Sequence, residues 1–299
     1  MKSLAHSAKR LIGKIIGGRG GVTKGDTKDL RERISALKSE KEKLKKKISE
    51  LEGSLGLVGS LPNVPLGRLE YNSDGLSVWD RNLEFLKEPR FIAAYERGNR
   101  SGHLFSRSVD HFHIEWRVHV ILWAAGLGLR REGDFVECGV NTGIYALAIA
   151  DYHRFTEVRK RFFLFDTFCG TPEEQMTPEE REKCLSDNVK FYPDCYEMVK
   201  ANFSSYSNIS LVRGKVPDTL PGAGIEKVAY LSIDMNVAEA ELSAMEYFWD
   251  KLAPGAPVVL DDYGWKGCEV QKRTLDAFAQ RVGTTILTLP TGQGLLFKH

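Results

Sequence analysis

The chain has 299 residues, 42% hydrophobic and 27% charged, which is more than one small domain needs. Its near-balance of 42 Lys and Arg against 40 Asp and Glu hides a division, because residues 1–52 carry 15 basic against 7 acidic side chains and the remainder 27 against 33. Five cysteines without a C-x-x-C pair exclude a disulfide framework and point to reduced thiols in a cytoplasmic protein, and the longest apolar run, Val120 to Leu129, is too short to cross a bilayer.

Residues 1–25 read as a flexible basic tail, broken by Gly17-Gly18 and Gly20-Gly21. Leu11 to Ile16 is too short and too interrupted for a signal peptide. Over residues 5–16 two readings stay open, a disordered arm or a short amphipathic helix in peripheral contact with an anionic membrane surface. Residues 26–52 follow a heptad, with Leu30, Leu37, Leu44 and Leu51 at d and Ile34, Lys41 and Ile48 at a. Branched Ile at a with Leu at d predicts a parallel two-stranded coiled coil and hence a homo-oligomer, the alternative being a lone solvated helix. Residues 53–66, rich in Gly, Ser and Pro, read as a linker to a mildly acidic body spanning 67–299, for which no nucleic-acid partner is expected.

In that body, helical spacing runs from Phe112 to Leu127 and a strand is predicted at Phe135–Cys138, followed by a helix after Gly143. A second strand covers Arg161–Phe165 and ends at Asp166. A charged stretch with Pro172, Pro178 and Pro193 contains at least one helix, at Cys195–Phe203. Strands follow at Ile209–Val212, Val228–Ile233 and Pro257–Leu260, with a helix over Ala238–Leu252 between the last two. A helix at Glu269–Arg281 leads to a closing hairpin, Thr285–Leu289 and Leu295–Lys298. The alternation predicts an α/β fold, a doubly wound Rossmann-like sheet with one antiparallel strand inserted at an edge.

Two apolar strands, Val228–Ile233 and Pro257–Leu260, stop at carboxylates. Parallel strands joined by a helix open at the same sheet edge, so Asp234, Asp261 and Asp262 should gather at one mouth. Three hard oxygen ligands suit magnesium, manganese or calcium, although one of the adjacent pair Asp261 and Asp262 could equally be a turn or capping residue. The first strand runs into Glu137-Cys138-Gly139-Val140-Asn141-Thr142-Gly143, where Gly139 leaves room for a ligand and Gly143 turns into the helix, without the full G-x-G-x-x-G of a nicotinamide site. Asp166 ends the next strand, where an acidic side chain can take a ribose diol. Together these features point to an adenosine-type cofactor.

Five ordered stretches now form a pattern: Phe135 to Val140, Asp166-Thr167-Phe168-Cys169-Gly170-Thr171-Pro172, Gly214 to Pro221, Ile233-Asp234 and Asp261-Asp262-Tyr263-Gly264. Over roughly residues 130–299 the chain resembles the macrocin O-methyltransferase (TylF/MycF) family, metal-dependent enzymes that methylate sugar hydroxyls. The resemblance implies S-adenosyl-L-methionine held by Glu137, Gly139, Asn141, Gly143 and Asp166. It also implies magnesium (Mg2+) or manganese held by Asp234, Asp261 and Asp262, Asp234 serving in catalysis, and a saccharide or glycosylated small molecule as methyl acceptor. One departure stands out. The family usually has an aspartate two residues after the first metal aspartate, where a base has been proposed, but this chain has Asn236, and an amide cannot take a proton. His111 and His113 are alternative bases, or water serves. Two rival functions remain, a methyltransferase for catechol-like phenols and a coiled-coil scaffold carrying an inactive domain.

Overall fold

The computed structural model describes residues 36–47, 67–104 and 113–299. Residues 36–47 are helical, and Leu37 and Leu44 are 58% and 57% exposed. Two predicted d positions therefore present apolar surface to solvent in the single chain. The rest of the predicted 26–52 coil, the 1–25 tail, the 53–66 linker and His111 lie outside the described residues. Residues 67–299 form a compact unit separate from 1–66.

The core of that unit is a seven-stranded sheet. It contains β3 (Asp134–Cys138), β4 (Phe162–Asp166), β5 (Ile209–Arg213), β6 (Val228–Ile233), β7 (Pro257–Leu260), β8 (Leu287–Thr288) and β9 (Gly294–Phe297). The spatial order is β5-β4-β3-β6-β7-β9-β8, with β3 to β7 parallel and β9 running antiparallel between β7 and β8. The predicted hairpin and its inserted strand are thus present, although β8 keeps only two residues. A separate antiparallel hairpin, β1 (Leu69–Ser73) and β2 (Leu76–Trp79), precedes the sheet in sequence and was not among the predicted elements.

Strand alternation sorts side chains between two apolar layers. Phe135, Phe162, Leu164 and Tyr230 point toward the layer formed by α1 (Pro89–Asn99), α2 (Glu115–Gly128) and α3 (Ile144–Tyr152). Val136, Phe163, Phe165, Leu231 and Val258 point toward the other layer, with α6 (Ala238–Trp249) and α7 (Glu269–Arg281). Between β4 and β6 lie α4 (Pro178–Phe191) and α5 (Tyr196–Phe203). The long charged stretch, predicted to contain at least one helix, therefore holds α4 besides the helix placed at Cys195–Phe203. Helix α4 has few apolar positions, and only Glu180 and Cys184 are buried along it. Its start is fixed instead by a capping box, in which Thr177 Oγ1 accepts from the Glu180 backbone N–H and Glu180 accepts from the Thr177 backbone N–H. The chain moves outward from β3 to β4 and β5, then returns to place β6 on the other side of β3, so a crevice opens at the carboxyl ends of β3 and β6.

Removing residues 1–66 should leave the body with an unchanged melting temperature. If the heptad associates, light scattering will give the full chain a larger multiple of its monomer mass than the 67–299 fragment. Equal multiples would leave 36–47 as a solvated helix.

Candidate functional site

The ladder hydrogen bonds of the sheet set the site geometry. The Asp234 backbone N–H donates to the Cys138 carbonyl at 2.8 Å, and the Asp261 N–H donates to the Ile233 carbonyl at 3.0 Å. Gly139, Asp234 and Asp261 are therefore the first residues beyond three neighbouring strands, standing abreast. Gly139 has φ +86°, and a Cβ there would overlap the Asp234 carbonyl, so the two chain crossings need glycine. Gly143, at φ +95°, caps the start of α3 from behind and does not line the cavity.

A cavity of about 450 Å3 lies over this edge, and Glu137, Gly139, Asn141, Asp166, Asp234, Asp261 and Asp262 all line it. In its wall Glu137, 1% exposed, has Oε2 buried without a partner, as is Asn141 Nδ2. Burial raises the Glu137 carboxyl well above its ordinary range, with Asp166 and Asp261 adding to the effect. A buried acceptor and a buried donor left without partners in a cavity wall call for a polar ligand. The methionine end of S-adenosylmethionine, with its ammonium and carboxylate, has the matching groups. Asp166 is engaged differently from its predicted part. Its Oδ2 accepts the Val140 and Asn141 backbone N–H groups at 2.6 and 2.7 Å, and its Oδ1 accepts from Phe168 N–H at 2.6 Å and Thr167 Oγ1 at 3.3 Å. A carboxylate has about four lone-pair positions, so Asp166 is taken up in tying the glycine loop to the turn after β4.

In the same cavity, carboxylate oxygens of Asp234, Asp261 and Asp262 lie within 4.8 Å of one another. Ligands on opposite sides of a divalent cation are about 4–5 Å apart, so the cluster has the span and the hard oxygen chemistry for one. Burial, then Asp261 and Asp262, drive the Asp234 carboxyl well upward, and burial with Asp261 pushes Asp262 up to about 6. Asp261 is hydrogen-bonded by Tyr145 Oη at 2.9 Å, Gln293 Nε2 at 3.0 Å and Arg117 Nη1 at 2.8 Å. Arg117 in turn makes a bidentate pair with Asp74, at 2.7 Å on both contacts, from the turn of the β1–β2 hairpin. None of these four partners was among the sequence candidates. Two had signals: Arg117 is the only permanent charge from Trp116 to Gly128, and Asp74-Gly75 is a hairpin turn pair.

Asn236 adopts φ +63°, donates its N–H to Glu241 at 3.2 Å and lines the cavity. His113 lies outside that lining, half-exposed at the start of α2, with Nδ1 2.8 Å from Glu115 Oε1. Glu241 is buried at the start of α6, and burial with the nearby Asp262 pushes its carboxyl up to about 8.

A model of the macrocin O-methyltransferase (TylF) family matches residues 130–285. The chain is 32% identical over 145 residues to the 8-demethyl-8-(2,3-dimethoxy-alpha-L-rhamnosyl)-tetracenomycin-C 4'-O-methyltransferase of Streptomyces olivaceus, a match covering 46% of this chain and 55% of that protein. It is 26% identical over 147 residues to the mycinamicin III 3''-O-methyltransferase of Micromonospora griseorubida, covering 46% and 57%. The chain thus spans little more than half the length of these curated relatives. The solved O-methyltransferase NovP has the same fold, with TM-score 0.53 and 23% identity over 61% of this chain and 79% of that one.

Two substitutions check this geometry. Gly139→Ala should destabilise the protein by about 2–5 kcal/mol, since strain at positive φ adds to overpacking against Asp234, and calorimetric unfolding measures it. The folded protein holds a proton on Glu241 that the unfolded chain releases between its ordinary 4.5 and about 8. Its contribution to stability is therefore full below that window and declines as pH rises through it, by up to about 1.4 kcal/mol per pH unit. In a chelator, Glu241→Gln should flatten the loss of melting temperature between pH 5 and about 8. A mutant curve parallel to the wild type would remove Glu241 from that dependence.

Proposed function

The chain belongs to the macrocin O-methyltransferase (TylF) family, and from that premise we propose that it transfers a methyl group from S-adenosylmethionine to a hydroxyl of a saccharide or glycosylated small molecule. The observation that carries this reading is one cavity lined both by the unpartnered Glu137 and Asn141 groups and by the cluster of Asp234, Asp261 and Asp262. The relatives' names support the acceptor class, since one acts on a rhamnosyl tetracenomycin and another on mycinamicin III.

Each group has a definable task. Glu137 would receive the cofactor's ammonium and Asn141 its carboxylate, which satisfies both buried atoms. Gly139 lets the loop after β3 cross close to Asp234, and Asp166 keeps that loop in place through its hold on Val140 and Asn141. The carboxylate cluster would hold the divalent cation and orient the acceptor hydroxyl toward the cofactor, where alignment is the main demand of a direct displacement. When bound, the cofactor supplies an electrophilic methyl on a good leaving group, and the cation lowers the proton affinity of the acceptor oxygen. Asn236 cannot take the proton and His113 lies outside the cavity lining, so the proton would leave to water. Self-association through residues 26–52 belongs to the same proposal.

Methyl transfer from labelled S-adenosylmethionine onto a panel of deoxysugars, glycosides and catechols tests the reading. Turnover on glycosides that is lost in chelator and restored by magnesium or manganese is expected. Turnover on catechols alone would reassign the acceptor, and full-rate turnover in chelator would remove the cation. Glu137→Gln should weaken S-adenosylmethionine by about tenfold or more, the scale of a hydrogen bond to a charged group, as measured by calorimetry. Unchanged affinity in a folded mutant would take Glu137 out of the cofactor site.

A further inference from the structure

The three aspartates are not equivalent. Asp234 and Asp262 receive no hydrogen bond on their carboxylates from the described residues. Asp261, by contrast, has both oxygens engaged. Its Oδ1 accepts from Tyr145 Oη and Gln293 Nε2, and its Oδ2 accepts from Arg117 Nη1. The Arg117, Asp74 and Asp261 side chains are only 12%, 12% and 4% exposed. The ring of Trp265 stacks on the guanidinium with 5.2 Å between Arg117 Cζ and the ring centroid. A guanidinium gripped bidentately on one edge and packed against an indole is a fixed charge rather than a mobile one.

We propose that Arg117 is the resident cation of this cluster, withdrawing Asp261 from the coordination of a divalent ion and leaving Asp234 and Asp262 as its two carboxylate ligands. The proposal rests on the cation-binding part of the proposed function and assigns unequal parts within it. An ion drawn to Asp261 would have to share the last free lone pair of Oδ2 with a positive group, in a site where the two cations repel with little water between them. Asp261 serves instead as the counter-ion through which Arg117, Tyr145 and Gln293 are positioned around the mouth. Both Arg117 and Asp74 precede residues 130–285, so this pairing is supplied by the segment in front of the family-matched region.

Mn2+ titrated into the full-length protein, followed by the paramagnetic resonance of the free ion, is the test. Asp234→Asn and Asp262→Asn should each weaken Mn2+ by more than about tenfold. Arg117→Gln should tighten it by about tenfold, because it releases a carboxylate and removes a repelling charge, and adding Asp261→Asn should cancel that gain. A merely structural arginine would give no gain. A tighter Mn2+ complex in folded Arg117→Gln supports the proposal, whereas weakened or unchanged affinity overturns it. Should Arg117→Gln not fold, the crystal structure of the wild-type Mn2+ complex decides. Asp261 still on Arg117 and off the metal supports the assignment, and Asp261 bonded to Mn2+ overturns it. Wild-type protein that takes up no Mn2+ overturns it together with the cation part of the proposed function. S-adenosylmethionine calorimetry then reports separately whether the cofactor part stands.

Discussion

The parallel register of β3, β6 and β7 is the constraint on which the rest depends. Each ladder hydrogen bond fixes which residue first emerges from its strand, and a slip of one residue would turn every side chain to the opposite face. With the register as found, Asp234 is bonded to Cys138 and Asp261 to Ile233, so the carboxylates and Gly139 share one line. The apolar strand interiors enforce that register, because Leu231, Ile233, Val258 and Leu260 must all enter the layer beneath α6 and α7. The chemistry at the edge is thereby specified by packing several residues away.

Gathering carboxylates at one mouth works against folding unless charge is offset. The fold answers in two ways. Arg117 is brought in from α2 and shared between Asp74 and Asp261, so two acids and one base are buried together. The other carboxyls shift: Asp234, Asp262, Glu241 and Glu137 all hold their protons more tightly than free carboxyls.

Where the sequence was informative, a strand ran to its end in a chemically distinct residue. Val228–Ile233 and Pro257–Leu260 stand as predicted because apolar runs, broken only at Ser232, match a sheet covered on both faces. The cluster of Asp234, Asp261 and Asp262 followed from the same logic. The β1–β2 hairpin escaped because its strands are short and half-exposed, even though Asn72-Ser73-Asp74-Gly75 is a turn signal. Helix α4 escaped because burial along it is sparse and prolines flank it on both sides, although Thr177 to Glu180 spells its cap and Pro178 opens its first turn. The Arg117 pairing lay beyond reach for another reason: 144 residues separate it from Asp261, and no local pattern encodes a contact across that distance.

Glu180 has a wider reach than a cap. One of its oxygens closes the first turn of α4, and the other accepts the Ala238 N–H at 2.8 Å, the first residue of α6. A single carboxylate thus welds the beginnings of two helices on either side of the Asp234–Val237 loop. Around that weld Met176, Cys184, Val237 and Ala240 form their own small apolar cluster. The wall carrying Lys183 and Tyr192 and the loop carrying Asp234 are consequently one mechanical piece, unable to separate without breaking both helix starts. Room for a bulkier guest cannot then come from moving α4 away from the Asp234 loop. Divergence in guest size among proteins built this way should therefore be written outside the α4–α6 junction.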